Sequence, residues 1–364
     1  MAFIHCGSEE CVKSELELFQ IALTQTCIEK SLYIEVPPLS ALTGSAPLDF
    51  YIAGNGEDYI DINNTLLYMK SKITREDGTV LPADARVALV NYPIASIFSQ
   101  LDVTVGDQLI SQSNNCYPYR AMIETLLNYS RETLATQFSV GGFYKDMAGQ
   151  LKSTILTNPV SKGFAKRAEL MAKSRAIDLL GHLHADIFFQ EKPLLNGVDV
   201  KIKLTRSRDT FCLMSGVGDR TRFKLQMDSA FLFVKKVRVS PGARLAHAEA
   251  LMISTAKYPV DRVSLQLPKM VVVALVYNDA FSSGFTKNPF HFKDFNINFA
   301  ALYVDREQIP PKPFQLNFAA GNNVREYMSL VQMAGKHLQD RPLLIDHDEY
   351  WNGYTLFAFD LSPD

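Results

Sequence analysis

The chain has 364 residues and 47% of them are hydrophobic, so it can bury the cores of two globular domains. Its 37 basic residues nearly balance its 39 acidic ones, which argues against general nucleic-acid binding but leaves a local basic surface open. No apolar run reaches the roughly 18 residues of a membrane span.

Five cysteines stand at positions 6, 11, 27, 116 and 212. Their odd number and irregular spacing argue against a disulfide framework, and the absence of a CxxC pair argues against a zinc site. The chain starts without an apolar stretch of signal-peptide length. We therefore expect a reducing location, in the cytosol or the nucleus.

The first residues predict an arm followed by strands. Residues 1–40 are expected to form an N-terminal arm, with an ordered N-terminal strand as the alternative. Leu48 to Thr74 is rich in β-forming residues around Gly54-Asn55-Gly56. This tripeptide predicts a turn, because it lacks the third glycine and the Lys-Ser/Thr of phosphate-binding loops.

Leu101 to Asn128 predicts a hairpin followed by a helix. Residues 101–105 alternate apolar and polar side chains, and Gly106-Asp107 predicts the turn to a return strand. After Asn114-Asn115, Pro118 predicts the first turn of a helix. The apolar face of that helix is formed by Met122, Ile123, Leu126 and Leu127.

A basic segment and a histidine-containing segment follow. Ser161 to Arg175 carries five basic residues against Glu169 alone, which favours a solvated helical face over contact with a polyanion. On a strand, His182, His184 and Asp186 would share one face. This face is interpreted as the polar outside of a strand.

A metal site remains the alternative for that segment. Two imidazoles and a carboxylate are metal-binding groups. The H-x-H spacing is similar to the cupin motif of metal-dependent β-barrel enzymes. However, Glu191 comes too late after His184, and Phe188-Phe189 occupies the place of the glutamate of that family.

Apolar and polar side chains alternate over Val198 to Thr205, which predicts a strand with one solvent-exposed face. The flexible, polar residues 216–222 then predict a linker between two domains. The expected division is an arm at 1–40, a first unit at 41–215, the linker, and a second unit at 223–364.

The order of hairpin and helix recurs in the second unit. Alternation over Ile297 to Tyr303 predicts a strand, and residues 304–307 predict its turn. Asn323 is expected to cap a helix, with Glu326 completing a capping box and Gly335 ending the helix. The repetition indicates two copies of one β-rich unit.

The last segment, Asn352 to Leu361, matches the strand that begins at Gly181 in the first unit. The first unit continues through a further strand, whereas the second does not. We therefore expect the second unit to lack its last one or two strands, and the strand near Tyr354–Leu361 to have an unpaired or unusually covered edge.

The chain resembles the major capsid proteins of Polinton/Maverick elements and the related adintoviruses, which are virus-like DNA transposons. The similarity is collinear and covers nearly the whole chain. The matching stretches include SEECVKSELELF, GNGEDYIDINNTLLYMKSKIT, IFSQLDVTVGDQLISQSNNCYPYRAMIETLLNYS, GHLHADIFFQEKPLLNGVDVKIKLTRSRDTFCLM, FVKKVRVSPGARLAHAEAL, AKYPVDRV, NDAFSSGFTKNPFHFKDFNINFAALYVD and DEYWNGYTLFAFDLSPD.

This resemblance implies an all-β-dominated double jelly-roll, two antiparallel sandwiches with short inserted helices. It implies homotrimers that form pseudo-hexagonal capsomers, which tile an icosahedral shell with a penton-type protein. The shell would enclose double-stranded DNA, and the location would be the virion or, in the host cell, the nucleus or cytoplasm. The resemblance brings no catalytic, cofactor or metal residues.

Two departures from the family pattern stand out. The segment between Arg262 and Leu267 is shorter than in the family, and the family continues beyond the FAFDLSPD stretch. These departures predict an incomplete second jelly-roll and a degenerate, genome-resident copy. The alternatives are a metal-dependent jelly-roll enzyme that uses His182, His184 and Asp186, and an oligomerising β-protein retained by a host.

Overall fold

A computed structural model gives the fold. It describes residues 26–361 except 43, 45, 55, 158–159, 217–221, 261–269, 283, 305, 319–322, 338 and 340–341. Residues 1–25 of the expected arm, most of the expected linker, and the shortened segment 262–267 therefore lie outside the described residues.

The described residues contain fourteen strands, which pair in antiparallel ladders. They are β1 Ile28–Val36, β2 Leu48–Ile52, β3 Asp58–Arg75, β4 Val87–Leu89, β5 Phe98–Val105, β6 Gln108–Gln112, β7 Ile177–His182, β8 Val200–Arg206, β9 Leu213–Ser215, β10 Phe223–Val239, β11 Met270–Ala274, β12 Phe299–Val304, β13 Glu307–Gln315 and β14 Leu356–Asp360.

Nine α-helices join these strands in the same part of the chain, and none of them is long and apolar enough to cross a membrane. They are α1 Pro93–Ser96, α2 Tyr117–Asn128, α3 Arg131–Thr136, α4 Lys162–Leu170, α5 Asp209–Cys212, α6 Pro241–Ile253, α7 Asn278–Ser282, α8 Val324–Met333 and α9 His347–Trp351. Three short 3-10 helices lie at Phe138–Gly141, Ala172–Ser174 and Asp186–Phe189.

Ten of the strands lie between residues 28 and 239, and eight of these form a complete jelly-roll sandwich. One sheet has the order β1-β10-β3-β7 and the other β2-β8-β5-β6. Counted along the chain from one to eight, the strands run 1-8-3-6 in one sheet and 2-7-4-5 in the other, which is the jelly-roll order. The expected first jelly-roll is confirmed: residues 101–105 lie on β5, and the strand expected at 198–205 is its neighbour β8, Val200–Arg206.

Alternation along the strands places the core between the two sheets. On β8, Val200 and Ile202 are buried whereas Lys201 and Lys203 are exposed. Since successive side chains of a strand point to opposite faces, the buried set of each sheet faces the other sheet. Leu67 of β3, fully buried, belongs to the same core.

Two strands lie in a different unit from the one expected. Residues 28–36, assigned to the arm with an ordered N-terminal strand as the alternative, form that strand and pair with β10 in the register Val36↔Leu232. Residues 223–239, expected in the second unit, pair with β1 on one side and β3 on the other, for example Leu225↔Ile73. The physical reason is that β10 fills the space between β1 and β3 with an alternating buried face, which the local pattern could not assign to a partner.

The described residues after β10 contain four strands in two pairs, β11 with β14 and β12 with β13. A complete jelly-roll has eight strands, so this arrangement fits the expected incomplete second unit. β14 pairs with β11 along one edge, and within the described residues no strand is hydrogen-bonded along its other edge. Its side chains Leu356 to Phe359 are nevertheless buried, and Phe359 packs on Phe314 of β13.

The hairpin-then-helix order is present twice, as β5–β6–α2 and β12–β13–α8. Asn323 does occupy the position before α8, but the expected capping box is wrong. Its side chain makes no cap hydrogen bond, because its Oδ1 lies 2.8 Å from His347 Nε2. The capping box occurs instead at α9, between Asp346 and Glu349.

Candidate assembly surface

The segment with two histidines is not the strand that its alternation predicted. β7 ends at His182, and a 3-10 helix begins at Asp186. His184 and Asp186 are buried whereas His182 is exposed, so the three side chains do not form a polar outer face. That interpretation is wrong, because partners at least 60 residues away in the sequence enclose His184 and Asp186.

His184 is the centre of a buried polar network. Its Nε2 lies 2.8 Å from the Tyr92 hydroxyl, and its Nδ1 lies 2.8 Å from Glu124 Oε2. Arg120 donates to Glu124 and to Asp186. Burial alone would raise the pKa of Glu124, but His184 and Arg120 stabilise the carboxylate and lower its pKa below the usual value.

This network does not favour the metal-enzyme alternative. Both ring nitrogens of His184 already have partners, and Asp186 is paired with Arg120. The described residues contain no group of three His, Cys, Asp or Glu side chains able to hold a metal ion. The network instead joins α2 to the segment that follows β7.

The basic segment at 161–175 includes a structural arginine. α4 places Arg167 inside the protein, where it is 3% exposed and donates to both carboxylate oxygens of Asp146 at 2.9 and 3.0 Å. Lys166 pairs with Glu169 at the surface, as a solvated helical face would. The favoured interpretation of this segment therefore holds for its lysines and not for Arg167.

Gly54 has a packing role and not a phosphate-binding one. A Cβ at Gly54 would lie 2.3 to 2.4 Å from backbone atoms of Val198. Its N–H donates to Asp199 Oδ1 at 2.8 Å. The Asp199 carboxylate therefore already accepts from the backbone N–H that a phosphate would need. The predicted turn is the better interpretation of this tripeptide.

Helix α6 presents an apolar surface to solvent. Its 13 residues directly follow β10, and none of them is buried. Leu245 is 63% exposed, and Met252 and Ile253 are each 90% exposed. Surface helices normally turn their apolar face inward, so this exposure is typical of a helix that contacts another protein.

The orientation of α6 explains this exposure. Ser240 caps the helix by accepting from Ala243 N–H, and Ala243 packs on Tyr59 and Val237. His247 Nδ1 lies 2.9 Å from the Tyr59 hydroxyl. Ala243 and His247 are four residues apart and hold one side of the helix on the first sandwich.

Leu245 and Met252, seven residues apart, lie together on the other side of α6 and point away from the sandwich. We call Leu245, Met252 and Ile253 the outer face of α6. The sequence shows that Ser240-Pro241 starts a helix, and the seven-residue spacing of Leu245 and Met252 was the available signal for an apolar face. Only the fold shows that this face is not buried against the chain itself.

No protein-family model matches the chain. An uncharacterized protein of Caenorhabditis elegans is 24% identical over 373 residues, which cover 93% of this chain and 86% of that protein.

Viral capsid structures are also similar to the chain. A quasi-atomic model of the PBCV-1 virus capsid has 10% identity and a TM-score of 0.48, and it matches 94% of this chain and 80% of its own. The Sputnik virophage structure has 13% identity and a TM-score of 0.43, and the mavirus major capsid protein has 12% and 0.34. The chain covers 73% and 74% of its own length in these two matches, and about half of theirs, 55% and 56%.

Proposed function

We propose that this chain is a structural shell protein of the Polinton/Maverick capsid type and that it assembles as a homotrimer. The collinear sequence resemblance supports the capsid class, and the complete jelly-roll order between residues 28 and 239 agrees with it. Function does not follow from fold alone, so the assembly step needs its own structural support. The outer face of α6 supplies that support.

The outer face of α6 is the observation that carries the assembly step of the proposal. Burying a Leu or Met side chain contributes about 1.5–3 kcal/mol relative to leaving it in water. Leu245 and Met252 leave most of this free energy unused in the isolated chain, since they are 63% and 90% exposed. Contact with a neighbouring copy would bury both side chains.

The proposal also includes partners other than copies of this chain. A shell of such trimers would include a penton-type protein and would enclose double-stranded DNA, with the chain located in the virion. In this proposal the second unit begins after β10, and α6 lies between the two units along the chain.

Light scattering coupled to size exclusion tests the proposal on the purified full chain. We expect a trimer for the wild type and a monomer for Leu245→Lys/Met252→Lys, because two ammonium groups cannot be buried unpaired at a contact. Val80→Lys is the matched control, since Val80 is 64% exposed and lies on a loop away from α6.

The circular dichroism spectrum must stay unchanged in both variants, because none of the substituted side chains is buried. A monomeric wild type would contradict the proposal. A variant trimer as stable as the wild-type trimer would remove α6 from the assembly contact.

A further inference from the structure

Three lysines converge on one tyrosine ring at the junction of the two units. The ammonium groups of Lys152, Lys287 and Lys293 lie 4.8, 4.9 and 5.2 Å from the centroid of the Tyr277 ring. No two of them can therefore be farther apart than about 10 Å, roughly the Debye length at 0.1 M ionic strength. We call these three lysines with Tyr277 the lysine cluster.

The lysine cluster is assembled from separate parts of the chain. Lys152 comes from the connection that follows α3, and Tyr277 comes directly before α7. The Lys293 backbone N–H donates to the Leu275 carbonyl, and its Nζ donates to the Tyr277 hydroxyl at 2.8 Å. The fold therefore brings three positive charges from separate segments to one tyrosine ring.

Carboxylates do not fully neutralise the lysine cluster. Asp279 pairs with Lys287, and Asp294 is a second carboxylate near Lys293, but neither Lys152 nor Lys293 lies within ion-pair distance of a carboxylate among the described residues. The positive charge also affects the neighbouring His291. Burial, followed by the charges of Lys152 and Lys293, lowers the pKa of His291 to about 4. The hydrogen bond from Lys293 likewise lowers the pKa of Tyr277. The local field is therefore positive although the whole chain has a net charge of −2.

An exposed aromatic ring lies beside this charge. Phe295 is 41% exposed, and its ring meets that of Tyr277 edge to face with the centroids 5.0 Å apart. Lys293 also lies 5.7 Å from the centre of the Phe295 ring. Ammonium groups next to exposed aromatic rings suit a single nucleic-acid strand, because phosphates bind the charges and bases stack on the rings.

We propose that Lys152, Lys287 and Lys293 bind the phosphates of a single-stranded nucleic acid while Phe295 stacks with one of its bases. This contact goes beyond the shell role, since a shell subunit can enclose DNA without touching it. Stacking on an exposed face requires an unpaired base, so a single strand binds more tightly than a duplex of the same length.

The test measures fluorescence anisotropy of a labelled oligothymidine of about 12 nucleotides, within the site size of a small single-strand site. Lys152→Gln/Lys287→Gln/Lys293→Gln should weaken binding at least about tenfold and lower the slope of log K against log salt by about 2, as expected for three lost phosphate contacts. Phe295→Ala should weaken binding about tenfold, the effect of one lost stacking contact.

Lys201→Gln/Lys203→Gln/Lys224→Gln is the matched control, because it removes three exposed lysines elsewhere on the first sandwich. We expect it to bind as the wild type does. Equal loss in both triple variants would overturn the site, as would a wild type that does not bind the oligonucleotide.

Two further arms identify the ligand. Oligouridine in place of oligothymidine distinguishes RNA from DNA as the source of the strand. If inorganic phosphate at low concentration displaces the strand and Phe295→Ala has no effect, the cluster is an anion site only, and the strand proposal is overturned. The α6 double variant should keep its binding, so a failure of trimer assembly would not be mistaken for a failure of this site.

Discussion

The two halves of the molecule differ in how completely their strands are paired and covered. In the first, β10 pairs with β3 along nearly its whole length and with β1 along its C-terminal half, and the facing sheets bury Leu67 and Ile202 almost fully. In the second, the described strands form two-stranded pairs, and β11 is only half buried along most of its length. Isolated two-stranded sheets are marginal in water, so the second half depends on what it packs against.

A buried polar junction joins the second half to the first. Asp146 pairs with Arg167, with side-chain exposures of 1% and 3%. From the second half, Asn288 Nδ2 donates to Asp146 Oδ2 at 3.1 Å, and the Tyr354 hydroxyl donates to the Asp146 carbonyl at 2.8 Å. The first sandwich therefore supports the second half through fully buried hydrogen bonds in addition to the apolar core that the two halves share.

Breaking the buried ion pair should have the largest effect. Asp146→Ala leaves the Arg167 guanidinium charged and unpaired in the interior, so we expect a loss of about 3–5 kcal/mol in the free energy of unfolding. Urea denaturation measures this loss. The control is Asp228→Ala, which removes a surface pair with Lys72 and should cost at most about 1 kcal/mol. Similar losses in the two variants would contradict the role of the junction.

Removing one hydrogen bond from the same junction should have a smaller effect. Tyr354→Phe keeps the buried ring and deletes the hydroxyl that donates to the Asp146 carbonyl. We expect a loss of about 1–3 kcal/mol, because the carbonyl is left buried without that donor. Urea denaturation again provides the measurement, and an unchanged midpoint would show that this contact does not hold the halves together.

The smallest expected effect is a pH dependence centred on His291. Burial, with Lys152 and Lys293 nearby, lowers the pKa of His291 from 6.5 to about 4, while Asp294 opposes this shift. Between these pH values the unfolded chain binds a proton that the folded chain does not bind. The contribution of His291 to stability is therefore complete above about pH 6.5 and is lost as the pH falls toward 4.

His291→Asn removes this titration, so the variant should lose less stability than the wild type between about pH 6.5 and about pH 4.5. The urea midpoint at the two pH values measures the difference. Equal losses of stability in the variant and the wild type would show that His291 does not cause the pH dependence.

The sequence predicted local elements well and long-range partners poorly. The alternation over 198–205 and the hairpin at 101–112 are present with small shifts of their ends, because strand periodicity is a local property. The sequence wrongly placed His184 on the outer face of a strand, because its partners Tyr92 and Glu124 lie in distant parts of the chain. Asn323 failed as a side-chain cap for the same reason, since His347 binds its side chain.

The candidate assembly surface and the lysine cluster show the same limit. The helix of α6 was predictable from Ser240-Pro241, but its outward apolar face depends on how the helix is held on Tyr59. Lys152 lies more than a hundred residues before Tyr277, so no spacing in the sequence joins them. The assignment of β10 to the first sandwich likewise depended on pairing across more than 140 residues.

Native-state hydrogen exchange of the full chain tests most directly the claim that a complete first sandwich supports an incompletely paired second half. We expect amides of β3 and β10 to share the slowest exchange, at the free energy of global unfolding. Amides of β11 and β14 should exchange through a smaller opening of the second half. Equal protection in all four strands, or faster exchange in β10 than in β11, would contradict the account.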